Sequence, residues 1–211
     1  MSEQTVTFGD PQLDGAWACP DDAKGVIVFS HPHPAMGGTK DNNVVRLGCH
    51  YFNQNGFATL RYDFRGAGFS YGSHDHGIGE QDDALAAVAE ARKLGAGISG
   101  PFILIGYSYG AWVNWRMLPR LDVMPDAFVM ISPPFGYAET QFEALDCDIP
   151  PTVACVGNRD GFCPVTEFKL GLKKLVPDAR TDVLKDIDHF WVGNEMVVAE
   201  QIAKHLEVLL G

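Results

Sequence analysis

The chain has 211 residues, of which 46% are hydrophobic, and its formal net charge is −11. This length and apolar content predict one globular domain over residues 1–211 with a sizeable core. The excess of acidic residues argues against a nucleic-acid partner, because binding to phosphates needs clustered Lys and Arg side chains.

No run of residues is long and apolar enough to predict a membrane span, and Met1–Gln4 lacks the basic start of a signal peptide. We therefore expect a cytoplasmic protein without a membrane partner. The five cysteines form no close CxxC pair, which predicts free thiols rather than a disulfide scaffold or a zinc site. Cys163 could be reactive, but a half-buried bystander is favoured.

Short apolar runs alternate with helical patterns along the chain. Strands are predicted at 5–8, 12–18, 26–29, 57–62, 102–105, 127–131, 153–156 and 181–184. Helices are predicted at 39–52, at 80–94, from the turn at residue 108 to Pro119, from Pro164 to Pro177, and over the C-terminal stripe of Val198, Ile202, Leu206 and Leu209. This alternation predicts a doubly wound α/β domain with a mostly parallel sheet.

Polar and glycine-rich loops follow most of the predicted strands. They occupy residues 30–38, 63–79, 106–110, 157–160 and 186–191. In such a sheet, ligands bind in the crevice beyond the carboxyl ends of the strands. We therefore expect the functional site at this edge.

The stretch 102–112 carries the most informative motif. An apolar strand leads into Gly106-Tyr107-Ser108-Tyr109-Gly110, and a helix-like segment follows. A serine on such a sharp turn has strained backbone angles, and the two glycines let strand and helix approach closely. The turn presents the Ser108 hydroxyl and directs the Tyr109 N–H towards a developing oxyanion. This context favours a nucleophile over an idle serine in a glycine-rich turn.

A serine nucleophile needs a base, and His189 is the favoured one among seven histidines. It follows the last predicted strand and comes after both the serine and the predicted acid, which is the order found in nucleophile-elbow enzymes. The other histidines precede the serine, lie in a polar loop or fall within helices: His31, His33, His50, His74, His76 and His205. The roles of His31, His74 and His76 stay open.

Asp160 is the favoured acid, because it ends a strand between the serine and the histidine in the chain. Its carboxylate would hold the imidazole in the productive tautomer. The alternative is a turn or N-cap aspartate before the helix at Pro164. Asp188 is less favoured because a neighbour of the histidine rarely faces its ring nitrogen, and Asp182 and Asp186 are weaker for similar reasons.

A second oxyanion donor is expected from the loop after the strand at 26–29. Within His31-Pro32-His33-Pro34 the prolines have no N–H, so the His33 backbone N–H is the best-placed donor, with Ala35 and Met36 behind it. A metal site on His-x-His is disfavoured, because no acidic or cysteine partner has a matching spacing. The glycine-rich residues 63–70 are interpreted as a tight loop packed under this strand.

Several motifs, in the right order and spread over almost the whole chain, resemble the α/β hydrolase superfamily. They are His31-Pro32-His33-Pro34 with Gly37-Gly38, Asp63-x-Arg65-Gly66-x-Gly68-x-Ser70, Gly106-Tyr107-Ser108-Tyr109-Gly110, the turn from Gly157 to Asp160, and Asp188-His189-Phe190. More narrowly, they are similar to small, lid-less bacterial serine hydrolases described as predicted carboxylesterases. The resemblance implies an eight-stranded sheet with an antiparallel second strand and no lid domain. It also implies a triad of Ser108, Asp160 and His189, oxyanion donors at Tyr109 and His33, and no cofactor.

The function expected from these features is hydrolysis of a small ester or thioester through an acyl-enzyme on Ser108. Two alternatives stay open: an acyltransferase with the same triad, and a non-catalytic binding module on the same fold. Four aromatic residues are expected either at the rim of the site or packed under its loops: Phe135, Phe162, Phe190 and Trp191. The sequence predicts no particular oligomeric state.

Overall fold

A computed structural model describes residues 3–211 and shows one sheet of eight strands. The strands are β1 (Gln4–Phe8), β2 (Leu13–Ala18), β3 (Val26–Ser30), β4 (Ala58–Tyr62), β5 (Phe102–Tyr107), β6 (Ala127–Ile131), β7 (Thr152–Gly157) and β8 (Arg180–Leu184). Their order across the sheet is β1-β2-β4-β3-β5-β6-β7-β8. β2 runs antiparallel to both neighbours, and every pair from β4 to β8 is parallel. The predicted eight-stranded sheet with its antiparallel second strand is confirmed.

Within the described residues, five α-helices cover the sheet. They are α1 (Asn43–Gln54), α2 (Gly79–Leu94), α3 (Tyr109–Met117), α4 (Val165–Leu175) and α5 (Glu195–Leu210). The prediction that the first helix begins at residue 39 is wrong, because Asn42 caps it by accepting the Val44 N–H at 3.0 Å. The Lys40 N–H instead donates to the Asp63 carboxylate. Among residues 3–211, no helix combines the length and apolarity that crossing a bilayer requires.

The core lies on both faces of the sheet. Strands β3 to β7 are buried along their whole length, and their sequences are accordingly mostly apolar on both sides. The buried charge of Arg61 in β4 is paired with Asp41 and Glu3. Helices α1 and α5 pack on one face, and α2, α3 and α4 pack on the other. β8 forms a largely exposed edge.

The parallel strands end at one edge of the sheet, and the polar loops meet there. The segment 132–151, between β6 and β7, contains neither helix nor strand along its described length. This confirms the expectation that the fold has no lid domain.

Candidate active site

Ser108 lies on a sharp turn between β5 and α3. Its φ of 53° is in the left-handed region, and its N–H donates to the Ile131 carbonyl at 2.8 Å. A Cβ on Gly106 would lie 2.5 Å from the backbone of Ala111, and one on Gly110 would lie 2.4 Å from the Ser30 carbonyl oxygen. The predicted strained turn between two obligatory glycines is therefore confirmed.

The structure brings Ser108, His189 and Asp160 into one chain of contacts. His189 Nε2 lies 3.0 Å from Ser108 Oγ, and His189 Nδ1 lies 2.8 Å from Asp160 Oδ2. All three residues are buried to 7% exposure or less. An ionised carboxylate can only accept, so this geometry favours the tautomer in which Nδ1 carries the proton and Nε2 can accept the serine proton.

Asp160 also holds the turn that follows β7. Its Oδ1 accepts the N–H groups of Phe162 and Cys163, at 2.9 and 2.8 Å. From the sequence, Asp160 could either stabilise a turn or contact the histidine. In the structure its carboxylate does both. The half-buried position predicted for Cys163 is wrong: its side chain is fully buried.

The other aspartates near His189 face elsewhere. Asp188 Oδ1 accepts the Phe190 N–H at 2.9 Å, and Asp186 pairs with Arg159 at 2.6 Å. Asp182 lies 2.9 Å from His205 Nε2 on α5. Of these four carboxylates, only that of Asp160 contacts the His189 ring.

The loop after β3 carries His33, and it is clamped at both ends by the residues that follow β4. At its start, His31 Nε2 accepts the Phe64 N–H at 3.0 Å. Just past its end, Asp63 Oδ2 lies 2.7 Å from Lys40 Nζ. The sequence predicted only a packed loop for residues 63–70 and no role for Lys40.

His31 is wholly buried, and its hydrogen bonds define a neutral ring. Its Nδ1 lies 2.6 Å from the Pro32 carbonyl, so this nitrogen donates while Nε2 accepts. Burial lowers the pKa of His31 to about 4, against the opposing effects of the Pro32 carbonyl and Asp63. His31 therefore supports the loop as a neutral side chain.

His33 and Tyr109, the predicted oxyanion donors, both line the cleft above Ser108. Tyr109 is the first residue of α3, where N–H groups have no acceptor within the helix. The two rings contact each other with centroids 4.5 Å apart. Burial is the main cause that lowers the pKa of the His33 ring, and the neighbouring His74 lowers it further.

His74 and His76 continue a row of imidazoles outwards from His33, with successive centroids 4.9 Å apart. His74 Nδ1 lies 2.7 Å from the buried Glu80 carboxylate, although the ring is not aligned for a hydrogen bond to it. Within residues 3–211, no group of His, Cys, Asp and Glu side chains has a geometry suited to a metal ion.

The cleft is open to solvent and encloses about 650 Å³, counting its open part. Phe162 and Phe190 line it, as expected for rim residues, together with Met36, Pro134 and Tyr137. No Lys, Arg, Asp or Glu is among the described residues that line it.

Two of the four aromatic residues considered for the rim pack beneath the loops instead. Trp191 is fully buried, and its indole N–H donates to Ser132 Oγ at 3.0 Å. Phe135 packs on Phe142, with ring centroids 4.4 Å apart.

Comparison with known proteins agrees with this architecture. A sequence model of the alpha/beta hydrolase family matches residues 27–198. An uncharacterized protein of Rickettsia prowazekii (strain Madrid E) is 38% identical over 132 residues, or 61% of this chain and 55% of that protein. The chain thus spans about half the length of this curated relative.

Solved structures share the whole fold. An α/β serine hydrolase without a lid from Xanthomonas campestris aligns with a TM-score of 0.87 and 25% identity, over 100% of this chain and 96% of that one. An α/β serine hydrolase homologue from Coxiella burnetii aligns with a TM-score of 0.83 and 24% identity, over 97% of each chain. A Pyrococcus furiosus esterase has a TM-score of 0.79 and 20% identity, over 100% of this chain and 94% of that one. The last two likenesses concern the fold alone.

The family match begins in β3, the strand before the clamped loop, and ends in α5, the helix after His189. It therefore spans the serine turn, the Asp160 turn and the histidine loop. The chain belongs to the alpha/beta hydrolase family.

Proposed function

We propose that this chain is a serine hydrolase that cleaves small, uncharged carboxylic esters or thioesters. The observation that carries the proposal is the contact chain from Ser108 Oγ through His189 to Asp160, at 3.0 and 2.8 Å, beneath an open cleft. Membership of the family supports a hydrolase in general. The assignment of triad and substrate is our inference from the geometry.

In the proposed first step, His189 Nε2 takes the Ser108 proton as Oγ forms a bond to the substrate carbonyl carbon. The tetrahedral intermediate then collapses, and its C–O or C–S bond breaks. The leaving alcohol or thiol receives the proton from His189. Asp160 stabilises the imidazolium throughout, and the products of this half are the acyl-enzyme and the free alcohol or thiol.

In the second step, water attacks the acyl carbon and gives a proton to His189. Collapse of the second intermediate releases the carboxylic acid, and the proton returns to Ser108. The Tyr109 and His33 N–H groups are proposed to hold the oxyanion in both steps. No step requires a cofactor.

The proposed substrate class follows from the cleft. Its lining contains apolar side chains such as Phe162 and Phe190 and no carboxylate, ammonium or guanidinium group among the described residues. A charged substrate would lose hydration there without gaining a partner. Water reaches the cleft freely because residues 132–151 form no lid, which favours hydrolysis over acyl transfer.

A fluorophosphonate probe and a series of p-nitrophenyl esters test the proposal. We expect the probe to label the native protein at Ser108, with no labelling of Ser108→Ala. His189→Ala should lower kcat/KM for the esters by several orders of magnitude. His205→Ala is a matched control, because His205 also lies 2.9 Å from a carboxylate but contacts no serine of the candidate site.

Folded native protein that neither reacts with the probe nor hydrolyses any ester would contradict the proposal. A loss of turnover in His205→Ala as large as that in His189→Ala would remove the assignment of the base. Addition of an alcohol or amine acceptor separates hydrolysis from transfer, since a transferase would make the acylated acceptor in place of the free acid.

A further inference from the structure

Tyr107 makes a buried hydrogen bond to the backbone of His189. Its hydroxyl donates to the His189 carbonyl oxygen at 2.6 Å, and the residue is 2% exposed. Tyr107 is the last residue of β5, a central strand, and immediately precedes Ser108. One rigid strand thus supplies both the serine and a contact to the histidine backbone.

The segment 185–194 that carries His189 has little regular structure to hold it. It follows the exposed edge strand β8 and has two non-glycine residues, Asp186 and Trp191, at positive φ. Along it, Ile187, His189 and Trp191 are buried, while Asp188 and Phe190 between them are exposed.

Each of the three buried positions has its own anchor. The Ile187 carbonyl accepts the Arg159 N–H at 2.9 Å, and the Trp191 indole donates to Ser132 Oγ at 3.0 Å. These two bonds hold the flanks of the segment. The bond from Tyr107 holds residue 189 itself.

The Tyr107 hydroxyl stays protonated, so it can always donate the hydrogen bond to the His189 carbonyl. Burial raises its pKa well above the ordinary value, and the nearby Asp160 and Asp188 carboxylates raise it further. The ring lies beside the imidazole, with centroids 5.7 Å apart, so removal of the hydroxyl alone would leave the packing in place.

We propose that Tyr107 is a positioning residue, whose hydroxyl fixes the His189 backbone so that the imidazole spans Ser108 and Asp160. This inference rests on the proposed function. Loss of the bond frees the carbonyl and lets the ring move relative to both partners. A displacement of about 1 Å in a catalytic group can reduce turnover about a hundredfold.

The test compares Tyr107→Phe with Tyr62→Phe. Tyr62 is also fully buried, and its hydroxyl lies 3.0 Å from Ser30 Oγ on the neighbouring strand, away from His189. We expect Tyr107→Phe to lower kcat for a short p-nitrophenyl ester about ten- to a hundredfold. KM should stay unchanged because the hydroxyl faces the protein backbone. Tyr62→Phe should keep the native kcat.

A second readout follows His189 directly and needs no turnover. The proton between His189 Nδ1 and Asp160 should give a far-downfield NMR resonance in the native protein and in Tyr62→Phe. It should broaden, shift or vanish in Tyr107→Phe. Hydrogen exchange of residues 186–194 should quicken in Tyr107→Phe alone. Melting curves of both variants identify a temperature at which both are folded, and the measurements are made at that temperature.

A native kcat together with a native downfield resonance in Tyr107→Phe would overturn the inference. An equal loss of both in Tyr62→Phe would overturn it as well, because the effect would then be a general one of a lost buried hydroxyl. If the native protein hydrolyses no ester, the proposed function fails, yet a resonance lost only in Tyr107→Phe still establishes that Tyr107 positions His189.

Discussion

Gly110 and Ser30 bring helix α3 and strand β3 into backbone contact. A Cβ on Gly110 would lie 2.4 Å from the Ser30 carbonyl oxygen, closer than real Cβ atoms approach such an atom. Because Gly110 follows Ser108 by two residues, this approach fixes where the serine turn lies relative to the loop after β3. The two candidate oxyanion donors, at Tyr109 and His33, sit on the two sides of the contact.

Gly110→Ala should therefore destabilise the fold and impair the serine turn together. The added methyl group forces α3 and β3 apart, and such overpacking costs about 1–3 kcal/mol or more. Urea unfolding followed by circular dichroism measures the loss, and fluorophosphonate labelling of the folded fraction reports on Ser108.

Gly97→Ala is the matched control, because a Cβ on Gly97 meets no atom within 4 Å and its φ is not in the left-handed region. We expect it to be neutral or slightly stabilising. A Gly110→Ala variant as stable and as reactive as Gly97→Ala would show that α3 and β3 do not need this contact.

We expect His31 to make the stability of the protein depend on pH. Its pKa is about 4 in the folded chain and 6.5 ordinarily, because burial disfavours the charged ring. Below pH 6.5 His31 binds a proton in the unfolded chain but not in the folded chain. The free energy of unfolding therefore falls as the pH drops from 6.5 towards 4. The full loss from this residue is about 3 kcal/mol.

Urea unfolding of the native protein and of His31→Gln across that pH range isolates the contribution. The Gln amide oxygen can accept the Phe64 N–H but cannot titrate. We expect the variant to be less stable at neutral pH and to lose less stability on acidification. Parallel pH profiles for the two proteins would show that His31 is not the titrating group.

The serine turn was predictable from a local pattern, and its candidate partners were predictable from their places after successive strands. A glycine two residues before and after Ser108 marks a close strand–helix turn, and the position of Asp160 and His189 after successive strands follows from the topology rule for parallel sheets. The contacts among these residues then depend only on the strand ends meeting at one edge of the sheet. Both the glycine spacing and the order of the strands can be read from the sequence.

The clamp of Asp63 on Lys40 was not predictable, because the two residues are 23 positions apart and neither has a distinctive local pattern. A lysine after a loop usually lies in solvent, whereas here its ammonium group lies 2.7 Å from Asp63 and 2.6 Å from Asp14. The burial of Trp191 was not predictable either, because this residue lies at a φ of 58°, in a region that a tryptophan rarely adopts.

The cysteines should differ sharply in reactivity. Cys19 is exposed, whereas Cys49, Cys155 and Cys163 are buried. Burial raises the pKa of the Cys19 thiol too, but the rise is large only for the three buried thiols. Thiolate is the reactive form, and access is also required. Iodoacetamide should therefore modify Cys19 in the native protein and reach the buried three only in denaturant.

Peptide mass spectrometry after a short exposure to the reagent measures each site. Ester hydrolysis should survive modification of Cys19. Alkylation of Cys163 in the folded protein would contradict the prediction and would indicate that the Asp160 turn opens, since the Cys163 N–H is bonded to Asp160.

Phe190 should set the preference for acyl-chain length. It lines the cleft next to His189, yet its side chain is 57% exposed, so apolar surface remains for a substrate to cover. Each CH₂ buried against such a surface contributes about 0.8 kcal/mol. Phe190→Ala should then lower kcat/KM about tenfold for a medium-chain p-nitrophenyl ester and little for the acetate.

Phe69→Ala is the control, because Phe69 is 82% exposed but does not line the cleft. An equal loss for all chain lengths would mean that Phe190 acts by packing on His189, whose ring centroid is 5.8 Å away, rather than by binding the chain.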